Sequence, residues 1–121
     1  MILGVNHVAL SVPNMDQALA FYCDQLGFKK LSEAGWPAGT ESADRLLAVE
    51  GTSARVCHIG MPNLLMELFE FGDCIPASQD SHRPVIDHGI THICLAVTDL
   101  DEEYTRLSAA GMEFHSPPTG V

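Results

Sequence analysis

The segment GVNHVALSVPNMD, residues 4–16, returns as GITHICLAVTDLD at residues 89–101, with a constant offset of 85 positions and no gap. Several positions are identical in the two copies, and others exchange one apolar side chain for another. In each copy a β-branched, alternating run leads into a helix start signal. The sequence therefore predicts two strand–helix units of common design.

The helix of each unit has a predicted beginning and a predicted end. Asn14 and Asp99 occupy the cap positions, and each is followed three residues later by Gln or Glu, as in a capping box. Gly27 and Gly111 provide left-handed stops. The start and stop signals thus support the repeat.

Between the two copies, the sequence predicts three more strands, FKKLSEAGW, SARVCHIGM and LLMELFEF. The turn residues Pro62 and Asn63 join the last two strands. A loop with one helical turn around 43–47 is predicted between the first two. The predicted element order of the first copy is β-α-β-β-β, which indicates an α+β fold.

The predicted organisation has three parts. Residues 1–71 form the first β-α-β-β-β module, and residues 72–88 have the turn-rich composition of a linker. Residues 89–121 begin a second module with a strand, a helix and a strand around GMEFHSPP. We expect this second module to be incomplete in this chain.

Composition restricts the function classes. A net charge of −10 with only six Lys and Arg disfavours nucleic-acid binding. No apolar run approaches the roughly 20 residues of a membrane span, and the N-terminus lacks a signal-peptide layout. The four cysteines have no CxxC spacing, which favours reduced thiols. We expect a cytoplasmic protein.

Strand alternation turns three side chains that can bind metal to one face of the predicted sheet. His7 lies opposite the apolar set of a strand at 5–12, and the repeat gives His92 the same position. In LLMELFEF, Glu67 lies opposite the set that packs on the helices. Two imidazoles and a carboxylate suit divalent zinc, nickel, cobalt, manganese or iron and leave positions for water and substrate.

These residues also have purely structural interpretations. A single His or Glu in a strand is more often hydrogen-bonded or solvated than a ligand, so the equivalence of His7 and His92 carries the metal hypothesis. His58 could line the same cup or lie at its rim. Trp36 and Phe69 could form the wall of an apolar substrate pocket or simply belong to the core.

The segments that contain these residues resemble those of a known family. NHVALSVPNMDQALAFYCDQLGFK, LLMELFEF and GITHICLAVTDLDEEYTRLSAAG resemble the vicinal-oxygen-chelate superfamily, which contains glyoxalase I, methylmalonyl-CoA epimerase, extradiol dioxygenases and fosfomycin- and bleomycin-resistance proteins. The resemblance covers nearly the whole chain. It implies paired β-α-β-β-β modules that form a cup-shaped mixed sheet with helices outside, and a homodimer.

The resemblance also implies a ligand set. His7 resembles the first-strand ligand of module one, Glu67 the fourth-strand ligand, and His92 the first-strand ligand of module two. The family's fourth ligand, a Glu on the last strand, is expected beyond the end of this chain. Ser11 and Phe71 stand where bacterial glyoxalase I has an Arg and an Asn for glutathione, so a glutathione hemithioacetal is not predicted.

The function that the resemblance implies is that of a metal-dependent lyase or isomerase of the glyoxalase and epimerase type. Such an enzyme moves a proton next to a carbonyl of a small substrate chelated through vicinal oxygens. The catalytic group would be Glu67, as a ligand that dissociates to act as base, or else the last-strand Glu. An iron-dependent ring-cleaving dioxygenase, in which Glu67 is a bystander, is one alternative. A metal-free small-molecule binding protein is another, against which His7 and His92 count.

Overall fold

The structure is a computed structural model that describes residues 1–77, 80 and 82–120. The chain divides into two compact units, Met1–Ala77 and Ser78–Val121. Positions 78, 79 and 81 of the predicted linker, and position 121 of the predicted second module, lie outside the described residues.

The first unit contains a four-stranded mixed sheet with the order β1-β4-β3-β2. Its strands are β1 (Val8–Ser11), β2 (Lys29–Trp36), β3 (Ser53–Met61) and β4 (Leu64–Gly72). Helix α1 (Met15–Leu19) continues as a π-helical segment, Ala20–Gln25, and α2 (Glu41–Leu47) includes the predicted helical turn. The predicted α+β class is confirmed.

The sheet contains both parallel and antiparallel strand pairs. Strand β1 runs parallel to β4, whereas β3 is antiparallel to both β4 and β2. Strands β3 and β4 form a hairpin across the predicted Pro62-Asn63 turn, with Met61 opposite Leu64. This hairpin fixes which side chains of the two central strands lie side by side.

The fully buried side chains of the sheet lie on one of its faces. Met66 and Leu68 of β4, Cys57 and Ile59 of β3, and Met15 of α1 are each fully buried. Alternation in β4 therefore separates the core set from Glu67, as the sequence predicts. The opposite face is left for the candidate site.

Both predicted caps are present. The side-chain oxygen of Asn14 accepts a hydrogen bond from the backbone N–H three residues later at 2.9 Å, and Asp99 does the same at 2.9 Å. Gly27 and Gly111 adopt φ values of +80° and +89°, which L side chains rarely adopt. The repeat thus extends to the local conformation at both ends of the helices.

Two predicted boundaries of the first module require correction. The first strand begins at Val8 and ends at Ser11, shorter than the predicted 5–12, because its pairing with β4 starts at Val8 and Met66. His7 therefore precedes the strand. The side chain of Val5, before it, is 86% exposed.

In the second unit, α3 (Leu100–Ala109) is the only helix or strand of the described residues. The strands predicted before the Asp99 cap and around GMEFHSPP are wrong, since the described residues of this unit form neither. A strand needs a hydrogen-bonding neighbour, and the described part of this unit contains none. Arg83 instead donates to the carbonyl oxygens of His88 and Ile90 at 2.9 and 3.2 Å.

Among the described residues, no helix combines the length and apolar character that crossing a membrane requires. The four cysteines are free; Cys57 is buried and Cys94 is exposed.

An ion-pair cluster links α1 to the sheet and makes stability depend on pH. Arg55 Nε donates to Glu33 Oε1 at 2.6 Å and Arg55 Nη1 to Asp16 Oδ1 at 2.7 Å, while Lys30 also donates to Glu33. The hydrogen bond from Arg55, and then that from Lys30, lowers the pKa of Glu33 from 4.5 to about 2. The carboxylate therefore stabilises the fold above pH 4.5, and this contribution is lost as pH falls towards 2.

We expect Glu33→Gln to lower the free energy of unfolding at pH 7, with the deficit shrinking as the pH is lowered through this window. Urea denaturation at a series of pH values measures it. Glu50→Gln, at an exposed carboxylate before β3, is the control. A deficit that stays constant down to pH 2.5 would contradict the assignment.

Candidate functional site

The strand register brings a row of polar side chains across the sheet face that points away from the core. Glu67 of β4 lies opposite Ala9 of β1 on one side and opposite His58 of β3 on the other. His58 in turn lies opposite Ser32 of β2. His7, just before β1, completes the row, since its Nε2 is 3.0 Å from Glu67 Oε2.

Each oxygen of the Glu67 carboxylate contacts a different imidazole. Oε1 is 2.6 Å from His58 Nε2, and Oε2 is 3.0 Å from His7 Nε2. The Glu67 side chain is only 18% exposed, so these contacts replace much of its hydration. The predicted residues His7 and Glu67 are thus brought together, with His58 as a third member.

The ring of His7 lies between Asn6 and Glu67, and its tautomer decides what it offers to each. Its Nδ1 is 2.8 Å from Asn6 Oδ1. In the neutral tautomer with the hydrogen on Nδ1, which then donates to this oxygen, Nε2 is an acceptor that faces the acceptor Oε2. These two atoms repel each other unless a proton or a metal cation lies between them.

The pair has the dimensions of two ligands of one ion. Ligands bound at about 2.1 Å to the same divalent metal lie about 3.0–3.4 Å apart, and His7 Nε2 and Glu67 Oε2 are separated by 3.0 Å. A ligating histidine usually donates its other N–H to an oxygen acceptor, and Asn6 Oδ1, 2.8 Å from His7 Nδ1, is placed to accept it. These residues therefore fit a divalent metal ion.

His92, the third predicted ligand, lies in the second unit. It is exposed, and its Nδ1 is 2.9 Å from Thr91 Oγ1. Within the part of the chain that the structure describes, no three His, Cys, Asp or Glu side chains are grouped to hold a metal ion. The ligand set His7, Glu67 and His92 stays a prediction.

His7 and Glu67 lie at the polar end of a cavity of about 630 Å³ in the first unit. Trp36 and Phe69 line it, as one interpretation of the sequence expected, with their rings 6.1 Å apart. Val56 and several residues of α2, including Leu46 and Leu47, complete the apolar wall. None of the described residues that line the cavity is Lys or Arg.

Asp44 holds α2 and the Trp36 wall in place. Its carboxylate accepts hydrogen bonds from the Thr52 hydroxyl at 2.5 Å, the Thr52 N–H at 2.9 Å and the Gly51 N–H at 2.8 Å. These donors, with the Thr52 hydroxyl first, lower the pKa of Asp44. Thr52 Oγ1 also accepts from Trp36 Nε1 at 3.1 Å, so one buried threonine joins helix and indole.

The described fold can be compared with known families. The family model of the Glyoxalase/Bleomycin resistance protein/Dioxygenase superfamily matches residues 4–120. The chain belongs to this superfamily. The match confirms the resemblance to vicinal-oxygen-chelate proteins that the repeated strand–helix segments suggest.

Several named proteins are similar to this chain in sequence or in fold. The 2-epi-5-epi-valiolone epimerase of Actinomyces sp. is 30% identical, with 97% of this chain aligned, and the alignment spans 65% of the epimerase. A glyoxalase family protein from Bacillus cereus has a TM-score of 0.80 at 22% identity, covering 92% of this chain and 74% of its own. A fosfomycin resistance protein from Listeria monocytogenes has a TM-score of 0.62 at 19% identity, covering 100% of this chain and 78% of its own.

In this superfamily member, the sequence prediction underestimated His58 and missed Ser32. His58 lies four residues before Pro62, and Glu67 lies four residues after Asn63. A two-residue hairpin at Pro62-Asn63 therefore pairs them. That signal was present in the sequence and identifies His58 as the neighbour of Glu67.

Proposed function

We propose that the chain is a metal-dependent isomerase or lyase of the glyoxalase and epimerase type, which moves a proton next to a carbonyl group of a small substrate. The observation that carries this proposal is the 3.0 Å approach of His7 Nε2 to Glu67 Oε2 at the polar end of the cavity. The 30% identical epimerase supports it. The Listeria fosfomycin resistance protein has been solved with Mn(II), which supports a divalent metal.

In this mechanism His7, Glu67 and His92 would hold the metal. A bound divalent ion supplies Lewis acidity, which makes a C–H group beside a carbonyl easier to deprotonate. Glu67 would accept that proton at Oε2 after this oxygen dissociates from the ion, since Oε1 is engaged by His58. General-base catalysis by a carboxylate in contact with the substrate, followed by return of the proton, yields the isomer.

The cavity supports a substrate class. Trp36 and Phe69 offer aromatic surface, which would bury an apolar or aromatic part of the substrate. The absence of Lys and Arg from its described lining, together with the Glu67 carboxylate, disfavours a substrate with several negative charges. We propose an α-hydroxyketone or related compound with an apolar substituent, bound by a cytoplasmic homodimer.

Metal content tests the proposal most directly. We expect stoichiometric metal, measured by elemental analysis after loading with Zn(II) or Mn(II) and dialysis, in the native protein. His7→Ala and His92→Ala should each lose most of it, because each removes a ligand. His115→Ala, at an exposed histidine of the second unit, should keep it.

The other outcomes identify the alternatives. A native protein without metal would contradict the proposal and favour a metal-free binding protein that uses the apolar cavity. Bound iron together with dioxygen consumption would favour the ring-cleaving dioxygenase. Metal retained in both His variants would show that the ligands lie elsewhere.

A further inference from the structure

We propose that His58, oriented by Ser32, is a positioning residue that fixes the Glu67 carboxylate and leaves one of its oxygens for metal and proton. This inference rests on the proposed function, in which Glu67 is both ligand and base. The observation behind it is a continuous line of contacts. Ser32 Oγ is 2.9 Å from His58 Nδ1, and His58 Nε2 is 2.6 Å from Glu67 Oε1.

The direction of these hydrogen bonds follows from what each atom can do. An ionised carboxylate only accepts, so His58 Nε2 carries the hydrogen that it donates to Glu67. In the neutral ring, Nδ1 is then an acceptor, and the Ser32 hydroxyl donates to it. The Glu67 carboxylate therefore selects the tautomer of His58, and the Ser32 hydroxyl provides the hydrogen bond that holds the ring in this orientation.

The backbone places these groups with little freedom. His58 and Glu67 face each other on β3 and β4, the two central strands of the sheet. Ser32 reaches its place through an irregularity in β2. Lys30 pairs with Ile59 but Ser32 pairs with the next residue, His58, so Leu31 is an extra residue. Such a bulge re-aims the side chains that follow it.

Partial burial strengthens the effect of the hydrogen bond between His58 and Glu67. The side chains of His58 and Glu67 are 30% and 18% exposed, so water replaces a lost hydrogen bond only in part. A hydrogen bond to an ionised acceptor is stronger than a neutral one. Glu67 also has three rotatable bonds, and the His58 contact restricts them before a metal or substrate binds.

The two oxygens of Glu67 therefore have different roles. Oε1 is held by His58, so only Oε2, beside His7, is available to the metal and the reacting proton. Without His58 the carboxylate can rotate away or offer both oxygens. Groups that orient a metal ligand typically change metal affinity by about 10- to 100-fold.

Titration of Co(II) chloride into the metal-free full chain tests this role, since the visible absorption of Co(II) reports its coordination. We expect His58→Leu to bind Co(II) about 10- to 100-fold more weakly than the native protein, with an altered spectrum. His58→Gln should recover much of both, because its amide N–H can donate to Glu67. Ser32→Ala should weaken Co(II) binding and alter the spectrum in the same direction as His58→Leu, but to a smaller extent. His115→Leu should match the native protein.

Each other outcome is decisive. Native affinity and spectrum in His58→Leu would overturn the positioning role while leaving the metal site intact. Failure of His58→Gln to recover either property would overturn the hydrogen-bond explanation. If His58→Leu does not fold, as judged by circular dichroism, native behaviour of Ser32→Ala overturns the proposal. No Co(II) binding by the native protein would overturn the proposed function, and the role of His58 with it.

Discussion

Replacing Glu67 with Gln is expected to slow solvent exchange of the C–H proton of an α-hydroxyketone by about 100- to 10,000-fold. The amide keeps an oxygen that can bind metal and a shape close to that of the carboxylate, but it cannot accept a proton. The substitution should therefore slow proton transfer much more than it lowers the metal content. This separates the role of base from the role of ligand.

The measurement is loss of the methylene signal of 2-hydroxyacetophenone in D₂O, followed by proton NMR with the zinc-loaded protein. This probe has two vicinal oxygens and an aromatic ring that suits the wall formed by Trp36 and Phe69. Glu113→Gln, at an exposed carboxylate of the second unit, is the matched control and should exchange at the native rate. Zinc content is checked in all three proteins.

Exchange at the native rate in Glu67→Gln would assign the base to another group. No exchange with the fully metallated native protein would contradict the proposed substrate class. Loss of zinc together with loss of exchange in Glu67→Gln would show that its oxygen is not an adequate substitute ligand, and metal binding would then be the dominant role of Glu67.

Leu68→Ala is expected to lower the free energy of unfolding by about 2–5 kcal/mol. Leu68 is fully buried on β4, with Leu10 of β1 and Cys57 of β3 as its neighbours in register. Truncation would remove apolar contacts and leave a void between helix and sheet. Because small domains are stable by only about 5–15 kcal/mol, this is a large fraction of the total.

Urea denaturation followed by circular dichroism measures this loss. Leu46→Ala is the matched control, since Leu46 lies on α2 and is 86% exposed. The same chemical change there should alter stability by no more than about 0.5 kcal/mol. Equal effects at the two leucines would contradict the assignment of the core to the α1 side of the sheet.

Simple alternation was sufficient to predict much of the first unit. In β4 it separated the buried Met66 and Leu68 from Glu67, and the Pro62-Asn63 turn set the hairpin. Ser32 could not be found in this way. Counting forward along β2 in steps of two from Lys29, which lies opposite Gly60, puts Leu31 opposite His58, and only the bulge in the folded sheet corrects this by one residue.

The second unit shows where a repeat in sequence stops predicting structure. The cap at Asp99 has the same hydrogen bond as its counterpart at Asn14, because a cap depends only on residues close in the chain. The strand predicted before that cap depends on a distant partner, as β1 depends on β4. Local conformation therefore repeats while strand formation does not.

The bulge at Leu31 also affects how the sheet meets other chains. In the order β1-β4-β3-β2, strand β2 is an edge, and a regular edge offers a row of free backbone groups to which a foreign strand can add. The extra residue interrupts that row near the start of β2, beside Lys29 and Lys30. The irregularity that aims Ser32 at His58 thus also makes this edge a poor template for aggregation.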